Sequence, residues 1–165
     1  MSNVNKNKLS PQKKLAELIK ACIKYGSDID GKITKTKLAK LVYLSDFAFF
    51  YKNLVPITGV VYKKLEQGPV SIDYFDELIS LVGNHKVNLQ NKGKAELFSL
   101  NDKDDEISLN EEELKLVKNI CIKWKSKKTD EIVKFTHEQL PWKISFDNDV
   151  VPYSLIIQED ETKLY

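Results

Sequence analysis

Few side chains in this sequence could do chemistry near neutral pH, and the histidines come first. His137 stands near the end of a predicted helix, where the helix dipole favours the imidazolium form, and histidine titrates near neutral pH. Acid–base or nucleophilic catalysis would also need a second acid or a nucleophile within hydrogen-bond reach, and none lies nearby in the sequence. We therefore favour a structural His137 that holds the turn before Trp142, and keep a small hydrolase using His137 as an alternative.

The cysteines Cys22 and Cys121 each lie inside a helical pattern, and neither has a second cysteine or histidine at ligand spacing. We interpret them as small buried apolar residues without a disulfide. The sequence also contains no phosphate-binding glycine loop and no nucleophile elbow. We therefore expect no metal, no cofactor and no enzymatic activity.

A flank of the second predicted helix combines two aromatic residues with one charge. Tyr43, Asp46 and Phe50 are three and four residues apart, so they share one side of a helix. One interpretation is peripheral core, with Asp46 bonded to a backbone N–H or to a lysine. The other is a ridge that binds a protein partner, since aromatic residues beside a charge are common in interface hot spots.

The segment that follows this helix could extend such a ridge. The run from Val60 to Leu65 is short, and we expect it at a sheet edge, where an incoming chain could pair. We predict a partner-binding surface on the N-terminal half of the chain, carried by Tyr43, Asp46, Phe50, Pro56, Gly59, Gly68 and Pro69.

The basic residues argue against specific nucleic-acid binding. All 26 are lysines and the net charge is only +2, whereas arginine is the usual reader of guanine and phosphate. A DNA-binding repressor is therefore a less favoured alternative. The lysine-rich stretch from Leu114 to Thr129 is interpreted as a solvated helix face.

Hydrophobic periodicity and capping residues predict five helices. The third should turn Ile72, Phe75, Leu78, Ile79 and Val82 inward. The five helices are expected from Ser10–Pro11 to Gly26, from Thr34 to Tyr51, from Ser71 to Gly83, from a Ser108–Glu111 capping box onward, and from Thr129 to Pro141.

Two short β elements complete the predicted fold. Val60–Tyr62 is a strand-like run, and Val87–Gln90 with Glu96–Leu100 indicates a hairpin. The predicted fold is α+β and mostly α: one compact domain of five to six helices with a small hairpin or short antiparallel sheet. No apolar run is long enough to span a bilayer and no secretory signal is visible, so we expect a cytoplasmic protein without a membrane partner. The expected boundaries are a flexible tail at 1–8, a domain at 9–157 and an acidic tail at 158–165.

The order of several short motifs resembles the SocA-like antitoxin family, also called the Panacea antitoxin domain. The resemblance covers about Leu9 to Ile157, nearly the whole chain. It departs at Lys63–Gln67, because the family often has aromatic residues near this position. The motifs are Lys37–Tyr43 (KLAKLVY), Pro56–Gly59 (PITG), Gly68–Val70 (GPV) followed by Tyr74, His137–Trp142 (HEQLPW) and Val151–Tyr153 (VPY).

This resemblance implies a non-enzymatic antitoxin, encoded beside a toxin and neutralising it by direct binding. Because similar family members pair with unrelated toxins, the toxin's identity does not carry over. A cellular protease is a further partner to consider, self-association stays open, and an adaptor that binds a host protein is the main alternative. The motif residues with an expected structural role are Tyr74, His137, Pro141, Trp142, Pro152 and Tyr153.

Overall fold

The structure, a computed structural model, describes residues 8–165, so the predicted tail at 1–8 lies almost entirely outside the described residues. The described part is α+β and mostly helical, as predicted. Its α-helices are α1 (Pro11–Gly26), α2 (Lys35–Asn53), α3 (Tyr74–Gly83), α4 (Glu111–Trp124), α5 (Thr129–Glu138) and α6 (Leu140–Ile144). Its strands are β1 (Ile33–Thr34), β2 (Tyr62–Leu65), β3 (Gly68–Ser71), β4 (Val87–Lys92) and β5 (Ala95–Leu100), and two 3-10 helices follow at Tyr153–Gln158 and Glu161–Lys163.

Helix α2 is the centre of the fold. Thr34 caps it, because its hydroxyl oxygen accepts a hydrogen bond from the backbone N–H of Lys37 at 3.2 Å. Every residue from Lys37 to Phe49 is buried, since α1, α4, α5, β3 and the first 3-10 helix surround α2. This all-round burial explains why the helix is apolar on nearly every face.

The flanking helices are fixed by caps, one of which differs from its prediction. Ser10 caps α1 as predicted, accepting from the backbone N–H of Lys13 at 3.3 Å. The capping box of α4 joins Asn110 and Glu113 rather than Ser108 and Glu111. Glu113 is favoured at this position because its carboxylate also pairs with Lys14 on α1, with one oxygen 2.6 Å from the amine.

The strands form two small antiparallel sheets. One has the order β1-β5-β4 and contains the predicted hairpin, and the other pairs β2 with β3. The free side of β2 is covered by the chain after α6. Val151 N–H donates to the Tyr62 carbonyl at 2.8 Å, and Lys64 N–H donates to the Asp149 carbonyl at 3.0 Å. The prediction that this strand is an open edge is therefore wrong.

Helix α3 packs a different face than predicted. Ser71 ends β3 instead of capping the helix, which begins only at Tyr74. The buried stripe is consequently Tyr74, Leu78 and Leu81, which packs toward α1. The predicted inward residues Ile72, Phe75 and Ile79 are exposed, so that part of the prediction is wrong.

The segment 158–165 was expected to be an acidic tail, but it packs against the domain. The Gln139 side-chain amide donates to the carbonyls of Lys163 and Leu164 at 2.8 and 3.1 Å. Glu159 accepts a hydrogen bond from Leu140 N–H at 2.6 Å. The Leu164 side chain is also buried. The segment therefore packs against the junction of α5 and α6, where its carbonyl and carboxylate oxygens accept hydrogen bonds from Gln139 and Leu140.

Both cysteines are buried free thiols, which confirms their predicted packing role. No helix within residues 8–165 combines the length and the apolar character needed to cross a bilayer.

The contact between α1 and its neighbours yields a stability prediction at Gly26. A Cβ atom there would lie 2.5 Å from Leu41 Cδ1 and 3.4 Å from Cys121 Sγ, and both of these side chains are fully buried in the closely packed core. Gly26→Ala should therefore lower the free energy of unfolding by about 1–3 kcal/mol, and Tm by about 2–4 °C for each kcal/mol. Thermal unfolding measures this.

The control is Gly83→Ala, where nothing lies within 4 Å of the new Cβ atom. This variant should be neutral or gain about 0.4–1 kcal/mol. Equal losses in the two variants would contradict the packing described for Gly26.

Candidate partner-binding surface

A buried carboxylate organises the region where the sequence predicts partner binding. Asp46 is 0% exposed, and its Oδ1 accepts from the Thr58 backbone N–H at 3.0 Å. Its Oδ2 accepts from the hydroxyls of Thr58, Tyr62 and Tyr153, the two phenols at 2.9 and 3.1 Å. The Tyr153 hydroxyl also lies 2.7 Å from the Val60 carbonyl, so its single hydrogen is shared between two acceptors.

Burial and hydrogen bonding act in opposite directions on this carboxylate. Burial raises the pKa of Asp46, while the donors from Thr58, Tyr62 and Tyr153 lower it, and the burial effect is larger. Burial, reinforced by Asp46, also raises the pKa values of Tyr62 and Tyr153. The two phenols therefore stay protonated at neutral pH and remain hydrogen-bond donors.

Aromatic rings surround the carboxylate and exclude water from it. Phe47 lies 4.5 Å from Tyr43, 5.2 Å from Tyr62 and 4.7 Å from Tyr153, measured between ring centroids. Phe50 stacks on Tyr153 at 5.5 Å. These distances are typical of favourable aromatic pairs, so the cluster binds the first 3-10 helix to α2.

The structure places the predicted ridge mainly inside the domain. Tyr43 is buried and donates to the Gln139 side-chain oxygen at 2.9 Å, and Asp46 bonds as described above. Neither belongs to an exposed ridge, because the 3-10 helix at Tyr153–Gln158 covers this flank. Phe50 is half-buried. The peripheral-core interpretation, with Asp46 bonded to a backbone N–H, describes the observed geometry.

The chain after α2 brings apolar side chains to the surface instead. We call the exposed face of residues 54–72 the 54–72 surface. Gly59 is exposed and Pro56 is half-buried. The apolar residues Val61 and Ile72 lie opposite each other just beyond the paired residues of β2 and β3, where Ile72 N–H donates to the Val61 carbonyl at 3.0 Å. The exposed apolar side chains of this surface are Leu54, Val55, Val61 and Ile72.

The turn between β2 and β3 is held against α2 by Lys40. The Lys40 amine donates to the Pro69 carbonyl at 3.2 Å. Gly68 has a φ of +111°, and a Cβ atom there would lie 2.8 Å from Thr136 Oγ1 and 3.1 Å from Lys40 Nζ. Both the backbone angle and the space therefore require glycine. Gly68 and Pro69 are buried, so they shape the turn without forming its exposed face.

Lys40 is an unusual buried amine. The residue is 1% exposed, and burial lowers its pKa to about 7. Among residues 8–165, no carboxylate oxygen lies within 4.0 Å of its amine. Lys40 was not among the predicted site residues, although its position between Ala39 and Leu41 in an apolar stretch of α2 was a usable signal.

His137 and Trp142 form a stacked pair beside this turn. Their ring centroids are 4.0 Å apart with an interplanar angle of 16°, and the Lys64 amine lies 4.0 Å from the Trp142 ring. The indole N–H donates to the Leu65 carbonyl at 3.4 Å. Burial, together with the charges of Lys40 and Lys64, lowers the pKa of His137. This direction is opposite to the helix-dipole expectation.

The other predicted motif residues lie in separate places. Tyr74 is buried, and its hydroxyl donates to the Lys35 carbonyl at 3.0 Å. Pro141 is buried in α6, and Pro152 is exposed next to Tyr153. Sequence reasoning missed Thr58 and Tyr62 as partners of Asp46, since 12 and 16 residues separate them from it.

A family model described as "Antitoxin SocA-like, Panacea domain" matches residues 38–143. The matched part runs from α2 into α6, so it includes Lys40, Asp46, the 54–72 surface and the stacked His137 and Trp142. Comparisons with curated proteins and with solved structures give no match.

The hydrogen bonds to Asp46 predict a specific cost for losing one donor. Tyr62→Phe keeps the ring but leaves the buried carboxylate with one donor fewer. The free energy of unfolding at neutral pH should fall by about 1–3 kcal/mol, as read from urea denaturation. Tyr51→Phe, at a half-buried tyrosine of α2 that does not donate to Asp46, should change it little. Similar losses in both variants would contradict this assignment.

The raised pKa of Asp46 predicts a pH trend. A raised native pKa means that the native state keeps a proton that the unfolded chain releases above about pH 3.9. The stabilisation is complete below that pH and is lost as the pH rises through the native pKa. Asp46→Asn cannot titrate, so the stability of the wild type relative to this variant should fall across that window and then level off. Urea unfolding at a series of pH values measures it, and a rising difference would show that the donors outweigh burial.

Proposed function

Because the chain belongs to the SocA-like antitoxin family with a Panacea domain, we propose that it is an antitoxin that neutralises a cognate toxin by direct protein–protein binding. The family match carries this proposal. Non-enzymatic binding is part of the proposal, and the buried, hydrogen-bonded positions of Tyr43 and Asp46 fit a scaffold role for them.

We place the toxin contact on the 54–72 surface. Leu54, Val55, Val61 and Ile72 expose apolar side chains there, with Val61 and Ile72 adjacent, and exposed apolar area on a protein surface commonly marks an interaction site. The backbone beneath this area is fixed, because Thr58 and Tyr62 bond to Asp46. A rigid surface loses less conformational entropy when it binds, which favours affinity.

Co-expression tests this proposal. The product of the gene next to this one is expressed in a host whose growth it arrests, and the wild-type chain should restore growth. The double variant Val61→Asp/Ile72→Asp should lose this rescue and weaken the purified complex by at least about tenfold, because two carboxylates would be desolvated in an apolar contact.

The matched control is Ile122→Asp, at an exposed apolar residue of α4. It should rescue growth like the wild type, and circular dichroism should show all the variants folded. A wild-type chain that neither binds the product nor restores growth would refute the antitoxin proposal. Full rescue by the double variant would refute only the location of the contact.

A further inference from the structure

Strand β4 forms one edge of the three-stranded sheet, since it is the last strand in the order β1-β5-β4. Asn101 N–H donates to the Lys86 carbonyl at 3.0 Å, and these two residues lie opposite each other one step beyond the pair of Val87 and Leu100. Bonded and non-bonded pairs alternate along an antiparallel ladder. The even-numbered residues of β4 therefore bond to β5, and the odd-numbered ones point their N–H and C=O groups away from it.

The outward groups of Leu89 and Asn91 are open to a partner. Both residues are exposed, whereas Val87, which also points outward, is buried. Within residues 8–165, the backbone groups of Leu89 and Asn91 form no hydrogen bond with another segment. This edge differs from the free side of β2, which the chain after α6 covers.

Exposed apolar side chains lie beside this open edge. Leu89 is 42% exposed and lines a groove of about 180 Å³ together with Phe75 and Ile79 of α3. It lies on the face of the sheet that packs toward the core, because its cross-strand partner Phe98 is buried. Ile72 of the 54–72 surface, Phe75 and Ile79 are exposed in succession, so exposed apolar side chains lead from that surface to the groove.

The uncompensated charge at this edge is positive. Lys92 ends β4 and Lys94 follows in the turn, and among residues 8–165 no carboxylate oxygen lies within 4.0 Å of either amine. Because Lys92 bonds to β5, a residue opposite it on the open side would form a non-hydrogen-bonded pair, in which the Cα atoms are only about 4.5 Å apart. An acidic residue is favoured there, since opposite charges on facing strands attract.

We propose that the open edge of β4 receives an extended segment of the bound toxin as an additional antiparallel strand, with an apolar residue opposite Leu89 and an acidic residue opposite Lys92. The backbone of this segment bonds to the N–H and C=O groups of Leu89 and Asn91, which is the usual basis of affinity in strand addition. This inference rests on the proposed antitoxin function and adds the conformation and the residue pattern that the partner must present.

A second copy of this chain fits the edge less well. Symmetric pairing centred on Leu89, or one residue beyond it, would place Lys86 opposite Lys92 or Lys94 of the other copy. Like charges directly opposite each other destabilise a sheet, and lysine on an edge strand is a common protection against self-pairing. Pairing centred one residue earlier would need the backbone of Val87, which is buried.

The first test removes one outward donor. Asn91→Pro deletes the N–H that faces the open side and leaves the bonds between β4 and β5 in place, and proline is tolerated at such positions of edge strands. It should weaken the toxin complex by at least about tenfold in isothermal titration calorimetry. The matched variant Asn91→Thr keeps the N–H and should stay within about twofold. Thermal unfolding of both variants controls for folding.

The second test reverses one charge. Lys92→Glu should weaken the toxin complex by at least about fivefold, because it would face the acidic residue of the added strand. Lys115→Glu, at an exposed lysine of α4, changes the net charge equally and should stay within about twofold.

The third test uses the chain without the toxin. The amide hydrogens of Leu89 and Asn91 should exchange with deuterium much faster than those of Asn88 and Gln90, which bond to β5. A short synthetic peptide in which valine alternates with glutamate should shift the amide NMR signals of Leu89 and Asn91 in a saturable way. A peptide with lysine in place of glutamate should bind at least about fivefold more weakly.

The outcomes separate the two proposals. A chain that binds the glutamate peptide at β4 but neither binds the toxin nor restores growth would refute the antitoxin function while supporting β4 as an acceptor of an acidic strand. The strand-addition proposal is overturned if Asn91→Pro binds the toxin like the wild type, or if Lys92→Glu binds it no more weakly than Lys115→Glu. It is also overturned if the Leu89 and Asn91 amides are already protected in the free chain, if the two peptides bind equally, or if the chain forms a dimer that Asn91→Pro dissociates.

Discussion

The fold depends on satisfying one carboxylate, Asp46, in the middle of its central helix. An ionised carboxylate in an apolar interior is stable only when donors replace the water it has lost. The donors come from the loop after α2, from β2 and from the 3-10 helix near the end of the chain. Three distant segments are thereby bound to α2 at one point, and the aromatic rings around Phe47 exclude water from it.

The same helix carries a second buried ionisable group, Lys40, which has fewer hydrogen-bond partners than Asp46. Lys40 lies six residues before Asp46, yet it has one neutral acceptor and no carboxylate within 4.0 Å among the described residues. Asp46 is thus satisfied by several internal hydrogen bonds, whereas the almost fully buried Lys40 amine has the Pro69 carbonyl as its acceptor. Because burial lowers the pKa of Lys40 to about 7, loss of its proton relieves part of the cost of burying this amine.

The errors in the sequence predictions have a common cause, which is competition between local signals. Ser71 has a side chain that could cap a helix, but it is the last residue of β3. Helix α3 therefore begins only at Tyr74 and exposes Phe75 and Ile79. Ser108 with Glu111 fits a capping box as well as Asn110 with Glu113 does. The choice falls to Glu113 because Lys14 on α1 pairs with it, and a local pattern does not contain that long-range contact.

The sequence by itself determined the helical class, the β4–β5 hairpin, the buried free cysteines and the family, because these follow from periodicity, turn chemistry and ordered local motifs. Only the tertiary structure decided that α2 is buried on every side from Lys37 to Phe49. The spacing of Tyr43, Asp46 and Phe50 shows that they share a flank, but burial of that flank depends on Tyr153, 107 residues beyond Asp46. The surroundings of Lys40 were decided in the same way, since its acceptor, the Pro69 carbonyl, lies 29 residues further along the chain.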